Sequence, residues 1–490
     1  MKAEVTQLAG TALLWRAIQL GGVKGLYLVR FLVLARILSP DDFGLLAIGL
    51  TATGFFLLIS DFGIVQALVQ RAVVNERDYD AAWTLEFLRG LVVAALVALV
   101  APTIASIFNE SRVTGIIRAL ALTILVDAAA SIKMADLIRN LSFRYIAYVK
   151  LAQVVVDTTI AIGLAPFLGV WAFVVGAIGG SAAHAVASYI GAPYIPKFCL
   201  RRTAVLSIVR YGRWILLAGL LAVAGEIVMR MIITRKLGTA ELGIYFMAIK
   251  IAFLPAEIAK EVVGSVAFPL YARFKADIGE VTKAFRTIFT GMSALLIISC
   301  MLIVTLAASL VENVLGAQWE AMVWVVRIIA LVGVVGLIGD ASVSLVKGLG
   351  HSYKVTLLEA THSVVLVACA WGLVGRYRLI GVALACLLAN GAFQALGARF
   401  VHQVLQSPFR GLSASMSSIV LASGIGAALA LAVDNILFGI FGFVAAALTG
   451  VTVTGAILWC LDRRFNLRFS SSIGQLFPAL CGALNTTLKS

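Results

Sequence analysis

Several ionisable residues stand inside long apolar runs, among them Lys24, Arg30, Asp127, Asp157, Glu226, Arg230, Lys250 and Glu359. A charged side chain at the middle of a bilayer costs roughly 2.5–3.5 kcal/mol on insertion scales, so it pairs, faces water or handles a substrate or ion. Arg can grip an oxyanion bidentately, and Lys meets one as a point charge. A carboxyl in a low-dielectric setting has its pKa raised towards neutrality, which suits it to exchange a proton. Asp127, Asp157, Glu226 and Glu359 are therefore candidates for coupling to protons or sodium, with a fixed counter-ion role as the alternative for each. Some charges have partners at helical spacing: Glu86 with Arg89, Glu226 with Arg230, and Glu257 with Lys260. Glu359 and His362 could form a hydrogen-bonded pair. Lys24, Arg30, Lys250, Arg327, Asp127, Asp157 and Asp340 have no such local partner.

The elements that must hold these groups are membrane helices. Of 490 residues, 61% are hydrophobic and 13% charged, with a mean hydropathy of +1.03. That excludes an ordinary soluble domain. At roughly 20 residues per span the chain holds about fourteen spans. Expected spans are 11–38, 43–66, 81–108, 113–134, 145–166, 169–192, 211–237, 242–265, 284–311, 319–346, 353–375, 379–402, 412–433 and 436–461. No polar stretch exceeds about twenty residues, so no separate soluble domain is expected. The N-terminal stretch reads as the approach to a retained first helix. The six cysteines contain no CxxC and mostly lie in apolar runs, as buried thiols rather than metal ligands. The net charge of +15 is no nucleic-acid signature. With the N-terminus in the cytoplasm, the basic residues fall on inner connections over outer ones roughly three to one, the positive-inside bias. The outer connections hold only Arg36, Arg112, Arg235, Lys236, Arg376 and Arg378. Both ends then face the cytoplasm.

One polar turn occurs twice. "ARILSPDDFGLLAIG" (35–49) and "TRKLGTAELGIYFMA" (234–248) align with Arg36 over Arg235, Asp42 over Glu241 and Gly44 over Gly243. Each copy falls between the first and second helices of a six-helix block, which describes a parallel repeat related by an axis along the membrane normal. The expected organisation is an all-α chain: a first lobe over 1–195, a basic cytoplasmic segment over 196–210, a second lobe over 211–405, and a helix pair with a tail over 406–490. In the first turn Ser39 and Pro40 break the helix, and Asp41 and Asp42 can cap the next one. A catalytic Asp pair is the alternative, but the second copy replaces Asp41 with Ala240, which suits a cap better. Gly21, Gly22 and Gly25 are expected to interrupt the first helix and Pro255 the eighth, which marks them as hinge candidates. Close helix packing is the other use of such glycines.

The stretch "LARILSPDDFGLLAIGLTATGFFLLISDFGIVQALVQR" (34–71) resembles the signature of the polysaccharide transport family of flippases, within the multidrug/oligosaccharidyl-lipid/polysaccharide exporter superfamily. "RNLSFRYIAYVKLAQVVVD" (139–157) and "LGVWAFVVG" (168–176) support the likeness. The resemblance implies movement of an undecaprenyl-diphosphate-linked oligosaccharide between leaflets of a bacterial inner membrane by alternating access. It implies membrane lipids as surroundings, and a polysaccharide polymerase and export machinery as partners. It also implies that the first two helices of each lobe line a central cavity, on which Lys24, Arg30, Arg230 and Lys250 would converge to meet the diphosphate. The alternatives are a drug or cation antiporter of the same superfamily, whose cavity should be acidic or neutral, and a membrane glycosyltransferase, which needs a large outer loop. No GxxxxGK[ST], GxSxG, HExxH or Cys/His metal spacing appears, so an enzyme or a resident cofactor is not expected.

Overall fold

The computed structural model describes residues 2–60, 63–70, 74–140, 142–199, 213–261, 271, 277–349, 352–405, 412–437 and 439–465. The basic residues Arg201, Arg202 and Arg210, Arg71, most of 266–273 and the tail beyond Phe465 lie outside them. The described residues form two compact units, the first within Met1–Leu216 and the second within Leu217–Leu476. The first contains α1 (Lys2–Ile37), α2 (Pro40–Ser60), α3 (Ile64–Gln70), α4 (Glu76–Phe108), α5 (Val113–Ala128), α6 (Met134–Arg139), α7 (Phe143–Leu168) and α8 (Trp171–Gly191). The second begins with α9 (Arg213–Leu237), α10 (Thr239–Ala252), α11 (Leu254–Glu261) and α12 (Ile278–Ser309). It continues with α13 (Met322–Val335), α14 (Leu337–Gly348), α15 (Ser352–Val404), α16 (Leu412–Ile436) and α17 (Gly439–Phe465).

Helix is the element that satisfies its own backbone groups in lipid, so hydropathy alone locates it well. Each expected span carries helix. Among the described residues nine helices are long and apolar enough to cross a membrane, or ten if α10 and α11, bent by 49°, make one broken span. That bend has a visible cause. Pro255 lacks an N–H and is tolerated only in a first turn, so α10 ends at Ala252 and α11 starts with Pro255 in its first turn. The expected tenth span is split as well. A π-helical turn (Leu310–Leu315) and a 3-10 turn (Ala317–Trp319) precede it, and α13 gives way to α14 at Gly336.

Both units pack their helices in the same order. In the first, α4 packs on α5, α2 packs on α5, and α7 packs on α1 and α8. In the second, α12 packs on α13 and α10 packs on α13, while α16 packs on α12 and α17 on α16. The terminal helix pair is thus built onto the second unit.

The repeated turn has one backbone plan and two chemistries. In the first unit Ser39 and Asp42 close a reciprocal cap: the Asp42 N–H donates to Ser39 Oγ at 3.3 Å, and Ser39 N–H and Oγ donate to Asp42 Oδ2 at 3.0 and 2.7 Å. Asp41 has a different task. Arg112, from the α4–α5 loop, reaches Asp41 with Nη1 and Nη2 at 2.6 and 3.2 Å, and Glu110 with Nε and Nη2 at 2.8 Å each. Asp42 also borders the α7–α8 turn, where a Cβ at Gly169 would stand 3.6 Å from its Oδ1. Gly169 has φ 56° and ψ −133°. In the second unit the matching turn lies within α15 at Arg378, with φ 50° and ψ −132°, and Arg378 Nη2 donates to Glu241 Oε1 at 2.6 Å. The acid in the first turn of the second helix therefore meets the turn between the fifth and sixth helices in both units.

Glycines bring α8 close to the backbone of α7. A Cβ at Gly180 of α8 would stand 2.8 Å from Asp157 Cβ and 2.9 Å from the Gln153 carbonyl oxygen, and one at Gly176 would stand 2.8 Å from the Asp157 carbonyl oxygen. The four-residue spacing of these glycines is the small-xxx-small pattern of membrane helix contacts. Gly180→Ala should therefore destabilise the protein by about 1–3 kcal/mol. Gly21→Ala, whose Cβ meets nothing within 4 Å, should be neutral or stabilising by up to about 1 kcal/mol. Thermal unfolding of the purified variants in detergent measures the contrast, and equal midpoints would refute the tight α7–α8 contact.

Hydrogen bonds from the Arg112 side chain hold the Glu110 carboxyl below its ordinary value of 4.5, against an opposing push from burial. A group whose folded value is depressed stabilises fully above its unfolded value, and that contribution is lost as pH falls through the folded value. Glu110→Gln should thus remove part of the acid-side loss of thermal stability below about pH 4.5 and leave its steepness above that pH unchanged. Superimposable acid limbs for wild type and variant would sink this account of the clamp.

Candidate functional site

The first unit buries an ion pair between two of its long helices. Arg30 of α1 and Asp157 of α7 meet through Nη1 and Oδ2, with side chains 9% and 6% exposed. Aromatic rings surround the guanidinium: Tyr27 at 4.9 Å, Phe31 at 5.2 Å and Phe173 of α8 at 5.4 Å from its Cζ. Phe43 of α2 packs edge-on to Phe173 and completes the cover. Gly176 and Gly180 press on Asp157 from α8. Desolvating two ions costs several kcal/mol each, and mutual attraction offsets this only when the remaining polar atoms are also satisfied. Here Arg30 Nε and Asp157 Oδ1 are buried with no hydrogen-bond partner among the described residues. The pair is held by its surroundings more than by its own bonding.

A second acidic centre lies on α5. Asp127 Oδ1 is 3.3 Å from His184 Nδ1, and its Oδ2 accepts from Ser181 Oγ at 3.2 Å, both partners being on α8. Lys150 of α7 donates to Gln153 Oε1 at 3.1 Å and lies in the electrostatic field of Asp127. Tyr27 senses both carboxylates and Arg30. Two cations, two carboxylates and an imidazole therefore share α1, α5, α7 and α8. With His184 neutral the formal charges cancel, so uptake of one proton or small cation would leave one unit of positive charge. Among the described residues no three His, Cys, Asp or Glu side chains converge on a metal-binding geometry.

The other expected residues have separate surroundings. Lys24 is half-buried on α1, six residues before Arg30. In the second unit Arg230 Nη2 donates to Glu226 Oε2 at 3.0 Å, with Glu226 59% exposed. Lys250 sits over the Phe246 ring at 5.7 Å. Glu359 is half-buried on α15, and His362 Nε2 lies 3.3 Å from Asn390 Nδ2. Glu86 and Arg89 pair at 2.6 Å, as their spacing predicts, and Arg89 also donates to Ser60 Oγ at 3.1 Å. Helix α1 runs unbroken through Gly21, Gly22 and Gly25. Gly22 serves packing there, since a Cβ would come within 3.0 Å of Leu151 on α7. Pro255 stands at the 49° bend. Sequence reasoning did not single out Tyr27, Lys150, Ser181 or His184, whose partners lie on other helices. Nor did it use the Gly176–Gly180 spacing, which was the available signal.

Arg30→Ala leaves a buried carboxylate without its cation and should cost about 3–5 kcal/mol, whereas Arg30→Met combined with Asp157→Leu should recover most of it. Thermal unfolding of both variants in detergent tests this. A double variant no more stable than the single one would show that the two groups are not energetically paired.

The polysaccharide biosynthesis protein family (Polysacc_synt_3) matches residues 33–324, more than half of the chain. Lipopolysaccharide biosynthesis protein WzxC of Escherichia coli (strain K12) is 23% identical over 385 residues, 77% of each chain. Succinoglycan biosynthesis transport protein ExoT of Rhizobium meliloti (strain 1021) is 25% identical over 320 residues, 63% of each chain. Among solved structures, the lipid II flippase MurJ in an inward closed conformation superimposes with a TM-score of 0.71 at 13% identity, covering 92% of this chain and 99% of that one. At that identity the likeness speaks for the fold, a polytopic helical membrane fold. The chain is a multi-pass membrane protein and belongs to the polysaccharide biosynthesis protein family.

Proposed function

We propose that the protein is a flippase that moves undecaprenyl-diphosphate-linked oligosaccharide repeat units from the cytoplasmic to the periplasmic leaflet of a bacterial inner membrane, with both chain ends in the cytoplasm. The observation that carries this reading is a polysaccharide biosynthesis family match on a fold shared with a lipid flippase. The basic residues of each unit's first two helices, Lys24 and Arg30 in one and Arg230 and Lys250 in the other, are the groups assigned to the diphosphate. They offer forked and point-charge donors to a group carrying about two negative charges. Arg30 would serve by exchanging Asp157 for phosphate. Asp127, Asp157, Glu226 and Glu359 are the acids assigned to proton or sodium coupling, and the balanced charges around Asp127 and Asp157 support a role for those two. Bending at Pro255 and in α1 near Gly21, Gly22 and Gly25 would accompany alternating access. The polymerase and export machinery of the same pathway are the proposed partners.

Liposomes carrying a short undecaprenyl-diphosphate-oligosaccharide in one leaflet, with proton and sodium gradients imposed in turn, test the reading. Wild type should move the lipid to the other leaflet, and Lys24→Ala with Lys250→Ala should slow it by at least about tenfold without loss of folded protein. Export of an organic cation with no lipid movement would replace the flippase reading with that of an antiporter.

A further inference from the structure

The second unit carries a basic surface that the transport reading leaves unused. The last turn of α9 holds Arg235 and Lys236, and the turn within α15 holds Arg376 and Arg378, all four exposed. Glu241 is the acid in these two stretches. The two turns meet, because Arg378 Nη2 donates to Glu241 Oε1 at 2.6 Å and Lys236 Nζ donates to the Trp371 carbonyl oxygen at 2.9 Å. Their counterparts in the first unit are not basic. There Arg36 stands with Asp41 and Asp42, and the α7–α8 turn around Gly169 carries no charged residue. Arginine and lysine are depleted on the outer side of membrane proteins. By the charge distribution of the loops, these four are most of the outer basic residues of the chain. A cluster kept against that bias needs a use.

The cluster is organised for a phosphate at a membrane surface. The Arg378 side chain stays 68% exposed although it touches Glu241. Lys236 lies 4.6 Å above the Trp371 ring, and Trp371 is itself 66% exposed. Trp371 is seven residues from Arg378, a distance of about 10 Å along a helix, enough to reach from the headgroups into the top of the hydrocarbon core. Tryptophan favours that layer, with its apolar ring towards the acyl chains. Guanidinium forks at the tip and an ammonium beside an indole lower down would meet two phosphates and the first units of a lipid tail together.

We propose that this patch is the outer-leaflet docking site for the diphosphate of the translocated polyprenyl lipid, where Arg235, Lys236, Arg376 and Arg378 hold the product before it leaves. The assignment rests on the flippase reading and on the orientation that goes with it. The full chain in nanodiscs, incubated with a photoreactive undecaprenyl diphosphate analogue, should give crosslinks to the peptide over 371–378. Lys236→Gln with Arg376→Gln should lower that labelling about tenfold, and Lys236→Arg with Arg376→Lys should preserve it. Unlabelled undecaprenyl diphosphate should compete, while inorganic pyrophosphate and phosphatidylglycerol at the same excess should not. Undiminished labelling in the glutamine variant would overturn the assignment. Displacement by phosphatidylglycerol would do so too, reducing the patch to an ordinary contact with anionic lipid, and displacement by pyrophosphate would reduce it to a site for free phosphate. Lipid movement by wild type in the liposome assay, alongside any of these results, would leave the flippase reading standing while this site fell.

Discussion

The buried contact between Arg30 and Asp157 sets the terms for the whole first unit. Two ions removed from water need a cover that excludes lipid and water alike, and the unit supplies it from four helices. Rings from α1, α2 and α8 enclose the guanidinium, and the glycine pair of α8 lets that helix come close enough to seal the carboxylate. Phe173 covers the guanidinium, and glycine at 176 and 180, rather than the better helix former alanine, admits the close approach of α8.

The second unit repeats the path of the chain without repeating this chemistry. There the acid–base pair of Glu226 with Arg230 lies within one helix, and Glu226 stays 59% exposed. The turns show the same divergence. Gly169 and Arg378 share a backbone conformation that glycine adopts freely and arginine adopts at a cost of roughly 1–3 kcal/mol. The ion pair with Glu241 offsets part of that cost. The repeat conserves backbone geometry, and side chains have been free to take different roles on it.

That division explains what could be read from the sequence. Apolar runs mark helices because lipid leaves the backbone few alternatives, and every expected span carries helix. The pairs Glu86–Arg89 and Glu226–Arg230 were legible because helical spacing is a local property. Asp42 was legible as a cap for the same reason, although Asp41, its neighbour, is engaged by Arg112 from a distant loop. Arg30 and Asp157 lie on different helices, and no periodicity connects them. Asp127 and His184, 57 residues apart, are equally silent. The break before Pro255 could be foreseen from the missing N–H, whereas the break at Gly336 had no comparable signal.

The same burial bears on how transport could be driven. In a balanced group of two cations and two carboxylates, protonating Asp157 would leave Arg30 as a buried cation without an adjacent anion. Such a state is costly enough that it must relax, either by movement of α1 towards water or by capture of another anion. On the flippase reading the diphosphate is that anion, and the relaxation links proton uptake to substrate contact. Linkage then requires the converse: a diphosphate on Arg30 would favour protonation of Asp157 by the same factor. One buried ion pair would thus give the first unit a reason to change conformation.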